Sequence, residues 1–229
     1  MRAGRAEARR RGVALHRGEA VDALGDGWLI RDRGGFDPCP WAFDVARAVH
    51  PRAGDRALDL GCGTGVLMGA LHQVHGGLRS LVGVELDATA ADQARRNALL
   101  NGWPAGVVRA DVRALPLPPA FDLVLTNPPF YPPGWGRQSA DDRVARATHA
   151  LHGDIGDFTR AAAAALKPHG EALFVYDAGH LAALLLAVDA AHLTAREAVL
   201  LDDDRGLPAR VLLRARRGGA GLTVTRRTR

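Results

Sequence analysis

The chain has 229 residues, 47% of them hydrophobic and few of those aromatic, and it carries a formal net charge of +5. That length is enough to bury a large core, so one compact α/β enzyme is the default, and the two cysteines, Cys39 and Cys62, supply neither a disulfide framework nor metal-ligand spacing. No apolar run reaches the roughly 18 residues of a membrane span, because Leu181 to Val188 is closed by Asp189; with no apolar signal core in Met1 to Arg17, the cytoplasm is the expected compartment.

In chain order, residues 1–35 read as a basic N-terminal arm crowded by Arg2, Arg5, Arg9, Arg10, Arg11 and Arg17, with a short hairpin over Ala23 to Asp32 around Gly25-Asp26-Gly27. Residues 36–229 read as a single folded domain. Strands are expected near Arg56 to Leu60, Leu81 to Leu86, Gly106 to Ala110, Phe121 to Thr126 and Glu171 to Tyr176. Helices are expected over Thr64 to Val74, Ala88 to Leu100, Asp154 to Leu166 and Ala178 to Ala191, with Asn101-Gly102 and Lys167-Pro168-His169-Gly170 as stop signals. This alternation implies a doubly wound parallel sheet. Arg196 to Leu201 and Ala209 to Arg214 then read as a closing antiparallel pair, and the Asp202-Asp203-Asp204-Arg205-Gly206 turn between them as a solvated loop rather than a metal site. The C-terminal arginines from Arg210 to Arg229 read either as a solvated tail or as a second basic arm.

Two motifs carry chemistry. In Leu58-Asp59-Leu60-Gly61-Cys62-Gly63-Thr64-Gly65-Val66 a strand runs into a glycine-rich turn and then a helix, which lets the backbone approach a ligand and aims unpaired N–H groups at it. Glu85 ends the next strand, where an acid can hold ribose hydroxyls, and the glycine spacing lacks the six-residue form of a dinucleotide fingerprint. S-adenosylmethionine fits this spacing better than NAD. Cys62 is attributed to the need for a small side chain, and Asp59 to ordering the loop. The second motif, Asn127-Pro128-Pro129-Phe130, follows the Phe121 to Thr126 strand. Its two prolines fix φ and remove two donors, so an amide oxygen and a bare carbonyl can accept both hydrogens of an exocyclic NH2, while Phe130 offers a face for a planar base. An ordinary turn after a strand remains the plain alternative for the tetrapeptide.

Asp59 to Val66, Glu85, Asp111 and Asn127 to Phe130 together resemble the successive motifs of class I S-adenosylmethionine-dependent methyltransferases, over roughly residues 36–217. The Asn-Pro-Pro-aromatic sequence is similar to that of amino-methyltransferases acting on adenine N6, guanine N2 or glutamine N5. The stretch from Tyr131 to Leu166 resembles the bacterial valine-tRNA adenine-N6 methyltransferases, from which His149 and Pro132 to Gly136 depart. The resemblance implies a Rossmann-like, mostly parallel seven-stranded sheet with an antiparallel C-terminal strand pair, and makes residues 36–229 the methyltransferase domain. It also implies that Gly61, Cys62, Gly63, Thr64 and Gly65 hold the methionine part of the cofactor, Glu85 the ribose and Asp111 the adenine amine. Asn127 then faces the transferred methyl, with Pro128, Pro129 and Phe130 completing the catalytic motif. Phe130, Tyr131 and Trp135 would wall the substrate. Asp111 as a helix cap before Val112, and Glu85 as a mere strand end, are the plain readings beside these.

A basic balance suits a polyanionic partner, with tRNA favoured, through phosphate contacts. Lysine occurs once, at Lys167, so arginine-rich composition by itself accounts for much of that charge. No metal and no membrane partner are expected, and a monomer is favoured. The rival functions are a glutamine N5-methyltransferase of proteins, a guanine-N2 methyltransferase of RNA, and a cofactor-binding scaffold without activity. A helical N-terminal domain, as glutamine methyltransferases carry, has little room in 35 residues.

Overall fold

A computed structural model of the chain describes residues 2–33, 41–115, 118–128 and 153–228. These fall into two compact units, Met1–Asp111 and Val112–Arg229.

The first unit opens with a helix, α1 (Arg2–Arg10), and a hairpin of β1 (Glu19–Leu24) and β2 (Gly27–Asp32). Leu24 pairs with Gly27 across a two-residue turn, and Gly25 takes the positive φ, 54°, that such tight turns demand. After α2 (Ala42–Arg47) the chain alternates strand and helix: β3 (Arg56–Leu60), α3 (Val66–His75), β4 (Ser80–Glu85), α4 (Ala88–Asn101) and β5 (Ala105–Arg109). β4 lies between β3 and β5, parallel to both, with Leu60 level with Val84 and Glu85 level with Arg109. Ala57 to Leu60 are buried without a break, as in a parallel strand covered on both faces. α4 starts where the Asp87 side chain accepts from the amides of Thr89 and Ala90, and stops at Gly102 in the left-handed conformation.

The expected basic arm is instead a folded part of this unit. Ala8 is fully buried with Val21, Ile30 and Leu100, and Val13, Leu15 and Trp28 pack on that cluster. Gly4 and Ala8, one turn apart on α1, leave room for a neighbour: a Cβ at Gly4 would lie 2.6 Å from the Trp28 ring. Small residues make the apolar face, so an arginine-rich composition conceals an amphipathic helix.

The second unit holds a short 3-10 turn at Val112–Ala114, then β6 (Phe121–Thr126), α5 (Ile155–Ala165), β7 (Leu166–Asp177), α6 (Leu181–Ala190), β8 (Thr194–Asp202), β9 (Pro208–Arg216) and β10 (Thr223–Arg227). Its strands run in the order β6-β7-β9-β8-β10; β6 and β7 are parallel, whereas β9 is antiparallel to both β7 and β8. Asp154 caps α5 in a reciprocal box with Asp157. α5 ends at Ala165, just ahead of the expected stop at Lys167 to Gly170, and those residues form a bulge inside β7, because Phe121 pairs with Leu166 and Leu123 already with Glu171.

Among the eight strands β3 to β10, the pairs β3–β4, β4–β5, β6–β7 and β8–β10 are parallel, and β7–β9 and β8–β9 are antiparallel. The strand beyond the expected seven is β10, which lies in the arginine-rich stretch read as a tail and pairs in parallel with β8. Its anchor is Arg226, whose Nε donates to both oxygens of Asp202 at 2.8 and 3.0 Å. Asp202 is buried by this contact, and so is not part of a solvated loop. No helix among the described residues is long and apolar enough to cross a membrane.

Candidate functional site

The glycine loop at the carboxyl end of β3 is pinned from below and open above. The amides of Gly61 and Cys62 both donate to the Val84 carbonyl, at 2.8 and 3.0 Å, and the Gly65 amide donates to the Cys62 carbonyl. Gly61, Gly63 and Gly65 have φ values of 69°, 54° and 86°. At Gly63 the conformation alone demands glycine, since a Cβ there would meet nothing within 4 Å. α3 begins immediately afterwards without a side-chain cap, so its first amides have no acceptor within the helix.

Two acids lie under this loop, and they behave differently. Glu85 accepts from the Gly63 amide through Oε2 and from the Asp87 amide through Oε1, each at 2.8 Å. It therefore shapes the loop and keeps lone pairs for a further donor. Burial pushes its carboxyl up despite these bonds. Asp59 is completely buried, and neither of its oxygens has a hydrogen-bond partner among the described residues. Burial, with the charge of Glu85 beside it, raises the Asp59 carboxyl to about 8. Asp59 was expected to order the loop; with no hydrogen bond it does not, and Glu85 takes that part. Burial and the two nearby carboxylates also push the Cys62 thiol up, so this cysteine is a poor nucleophile. Its small size is required: a Cβ on Gly83 would stand 2.6 Å from Cys62 Sγ and 2.7 Å from Met68 Sδ.

An unpartnered buried carboxylate beside a second acid is costly unless a cation arrives. A ligand with an ammonium group, hydroxyls and a carboxylate suits Asp59, Glu85 and the open amides of α3 respectively. The amino-acid and ribose parts of S-adenosylmethionine have this make-up. Asp111 stands half-buried between β5 and the Val112–Ala114 turn.

In the second unit, β6 carries Leu123 to Thr126 into the interior and delivers Asn127 at its carboxyl end, half-buried, followed by the buried Pro128. The Asn127 side-chain oxygen is buried and has no hydrogen-bond partner among the described residues. Pro129, Phe130, Tyr131 and Trp135 lie outside the described residues.

The sequence reading missed the polar face of α4. Gln93, Arg96 and Asn97 are buried, and Asn97 has no exposed surface at all. Asn97 and Asn101 each hold one residue of β2 by both backbone groups: Asn97 accepts from the Ile30 amide at 2.6 Å and donates to its carbonyl at 3.0 Å, and Asn101 does the same at Trp28, at 2.8 Å each way. Amides four residues apart on a helix were the available signal, and they resemble an ordinary solvated face.

A parallel α/β fold in which β3 empties into a glycine loop over a buried Asp59 and a half-buried Glu85 is that of the S-adenosylmethionine-dependent methyltransferases. Within it, the chain belongs to the methyltransferase small domain family, whose model matches residues 45–187. A relative from Dickeya chrysanthemi, named tRNA1(Val) (adenine(37)-N6)-methyltransferase, is 36% identical over 75% of this chain and 69% of its own length. Relatives of the same name from Tolumonas auensis and Aeromonas hydrophila are matched over about half of their length, 52% and 50%. Among solved structures, a predicted O-methyltransferase from Agrobacterium tumefaciens superposes with a TM-score of 0.61 at 20% identity, covering 82% of this chain and 85% of the other. M. jannaschii TYW2, in complex with AdoMet, superposes with a TM-score of 0.59 at 12% identity, covering 89% and 87%. At these identities the structures share the fold alone.

Proposed function

We propose that the chain transfers the methyl group of S-adenosylmethionine to the exocyclic N6 of an adenine in tRNA. The observation that carries the reading is the buried, unpartnered oxygen of Asn127 at the head of an Asn-Pro-Pro sequence. A buried acceptor without a donor is unfavourable in isolation, and an incoming NH2 group satisfies it. The names of the relatives support adenine N6 of a valine tRNA as the acceptor.

When bound, S-adenosylmethionine supplies an electrophilic methyl on a sulfonium. Asp59 would accept from the ammonium of its methionine part, Glu85 from its ribose and Asp111 from its adenine amine, with the loop from Gly61 to Gly65 holding the methionine part. The N6 lone pair of adenine is delocalised into the ring, which makes it a weak nucleophile. Asn127 Oδ1 and the Pro128 carbonyl accept the two N6 hydrogens and draw the nitrogen toward tetrahedral geometry, which frees the lone pair for in-line displacement. By the resemblance, Pro129 would fix the turn, and Phe130, Tyr131 and Trp135 would wall the base once it leaves its stack. No strong base is needed, since the proton becomes acidic only after the nitrogen is alkylated and can then leave past the Asn127 and Pro128 acceptors to solvent.

The test is incubation with labelled S-adenosylmethionine and unmodified total tRNA, followed by mass spectrometry of the nucleosides. N6-methyladenosine is the expected product. Label in 2-methylguanosine would redirect the reading to guanine, and label only in added protein would replace it with glutamine methylation.

A further inference from the structure

We infer that Asn97 is a positioning residue for the cofactor loop, and that through it the N-terminal hairpin is a working part of the cofactor site. The inference rests on the reading that this loop binds S-adenosylmethionine.

The Asn97 side chain is fully buried and uses its whole amide. Its oxygen accepts from the Ile30 amide at 2.6 Å, one hydrogen goes to the Ile30 carbonyl at 3.0 Å, and the other goes to the Thr64 carbonyl at 2.9 Å. Thr64 sits between Gly63 and Gly65, two of the three loop glycines with positive φ, so one amide clamps the middle of the glycine loop to the middle of β2. Glycines on both sides relax the steric constraints on Thr64, and while the Gly63 and Gly65 amides are held by Glu85 and the Cys62 carbonyl, the Thr64 carbonyl is held by this hydrogen bond.

Asn101 provides the contrast within the same helix. Its oxygen accepts from the Trp28 amide and one hydrogen goes to the Trp28 carbonyl, both at 2.8 Å, in the arrangement Asn97 makes with Ile30. Its second hydrogen, however, goes to the Asn97 carbonyl of its own helix at 2.7 Å, not to the loop. Both asparagines therefore dock the hairpin, and Asn97 alone of the pair also reaches the site. If loop geometry and hairpin docking share one amide, ordering either must favour the other, and the coupling is reciprocal.

Paired isosteric variants, Asn97→Asp and Asn101→Asp, test this by titration with S-adenosylhomocysteine. Each exchanges an amide donor for a carboxylate facing carbonyl oxygens, so both lower thermal stability. Asn97→Asp should weaken the ligand roughly tenfold or more, the effect of a lost buried hydrogen bond, while Asn101→Asp stays within about threefold of wild type. Unchanged affinity in Asn97→Asp, or equal losses in both variants, overturns the inference. Should Asn97→Asp fail to fold, hydrogen exchange of the wild-type protein decides: saturating S-adenosylhomocysteine should slow exchange of the Ile30 amide at least several-fold, and unchanged exchange overturns the coupling. Wild-type protein that does not bind S-adenosylhomocysteine would instead refute the cofactor reading itself.

Discussion

Asp59 and Asn127 each leave buried oxygens without donors, and each forecasts a different defect. Asn127→Ala should lower kcat on the order of 100-fold or more, the scale seen when one preorganised polar contact to a reacting group is lost, with S-adenosylhomocysteine affinity within a few fold of wild type. Lost ligand affinity would place Asn127 in cofactor binding. For Asp59 the consequences run through pH. Its carboxyl titrates near 8 when folded against 3.8 ordinarily, so the free folded state binds a proton that the unfolded state has released. Stability of the cofactor-free protein therefore falls as pH rises from about 4 to about 8, by the linkage between proton binding and folding. Asp59→Asn removes this slope and should melt higher than wild type at pH 8 without ligand. The same variant should bind S-adenosylhomocysteine at least tenfold more weakly. Because an ammonium prefers the ionised carboxylate, wild-type affinity should rise with pH up to about 8 and then level off, and a pH-independent affinity would show that Asp59 does not meet the cation.

At the scale of elements, the site depends on how closely β4 approaches the loop after β3. Gly83 on β4 lies level with Asp59 in the parallel register, and a Cβ there would stand well inside contact distance of Cys62 Sγ and Met68 Sδ. Overpacking of this kind costs about 1–3 kcal/mol. Gly83→Ala should therefore lower the melting temperature and also weaken S-adenosylhomocysteine binding, since Cys62 must shift and its amide is one of those pinned to Val84. A destabilised variant with unchanged affinity would mean that the strain is relieved at Met68. The strands and helices that carry these residues were legible from burial periodicity and caps: Arg56–Leu60 and Phe121–Thr126 match their expected bounds. The second and third strands shift by one residue. The polar face of α4 was not legible, because whether an asparagine meets water or a strand edge depends on a segment 67 residues away.

For the molecule as a whole, the N-terminal residues contribute folding energy as well as charge. Glu19 of β1 and Arg96 of α4 form a buried two-point ion pair, at 2.5 and 2.8 Å, and Gln93 and the His16 amide complete the shell of Glu19. Burial opposes ionisation of Glu19, but the hydrogen bonds from Arg96, His16 and Gln93 outweigh it and hold the carboxyl at about 2 against 4.5 ordinarily. A depressed carboxyl contributes stability that is present above about 4.5 and is lost as pH falls toward about 2. Glu19→Gln leaves Arg96 buried without its counter-charge and should cost about 3 kcal/mol in chemical denaturation near neutral pH. That difference should shrink as the pH is lowered through this window. A variant as stable as wild type would return residues 1–33 to the status of a dispensable basic arm.

What the sequence by itself determined was local: an alternation of strands and helices, a glycine loop after one strand and an Asn-Pro-Pro turn after another. Backbone sterics and the burial of apolar faces dictate these within a few residues, whatever lies further along the chain. The tertiary structure decided which polar groups find partners. It left Asp59 and Asn127 without donors, gave Glu85 the loop, turned an arginine-rich start into a packed helix and joined β10 to the sheet through Arg226 and Asp202. The physical reason is that a buried polar group is stabilised or destabilised by its neighbours in space, and those neighbours come from distant segments that only packing brings together.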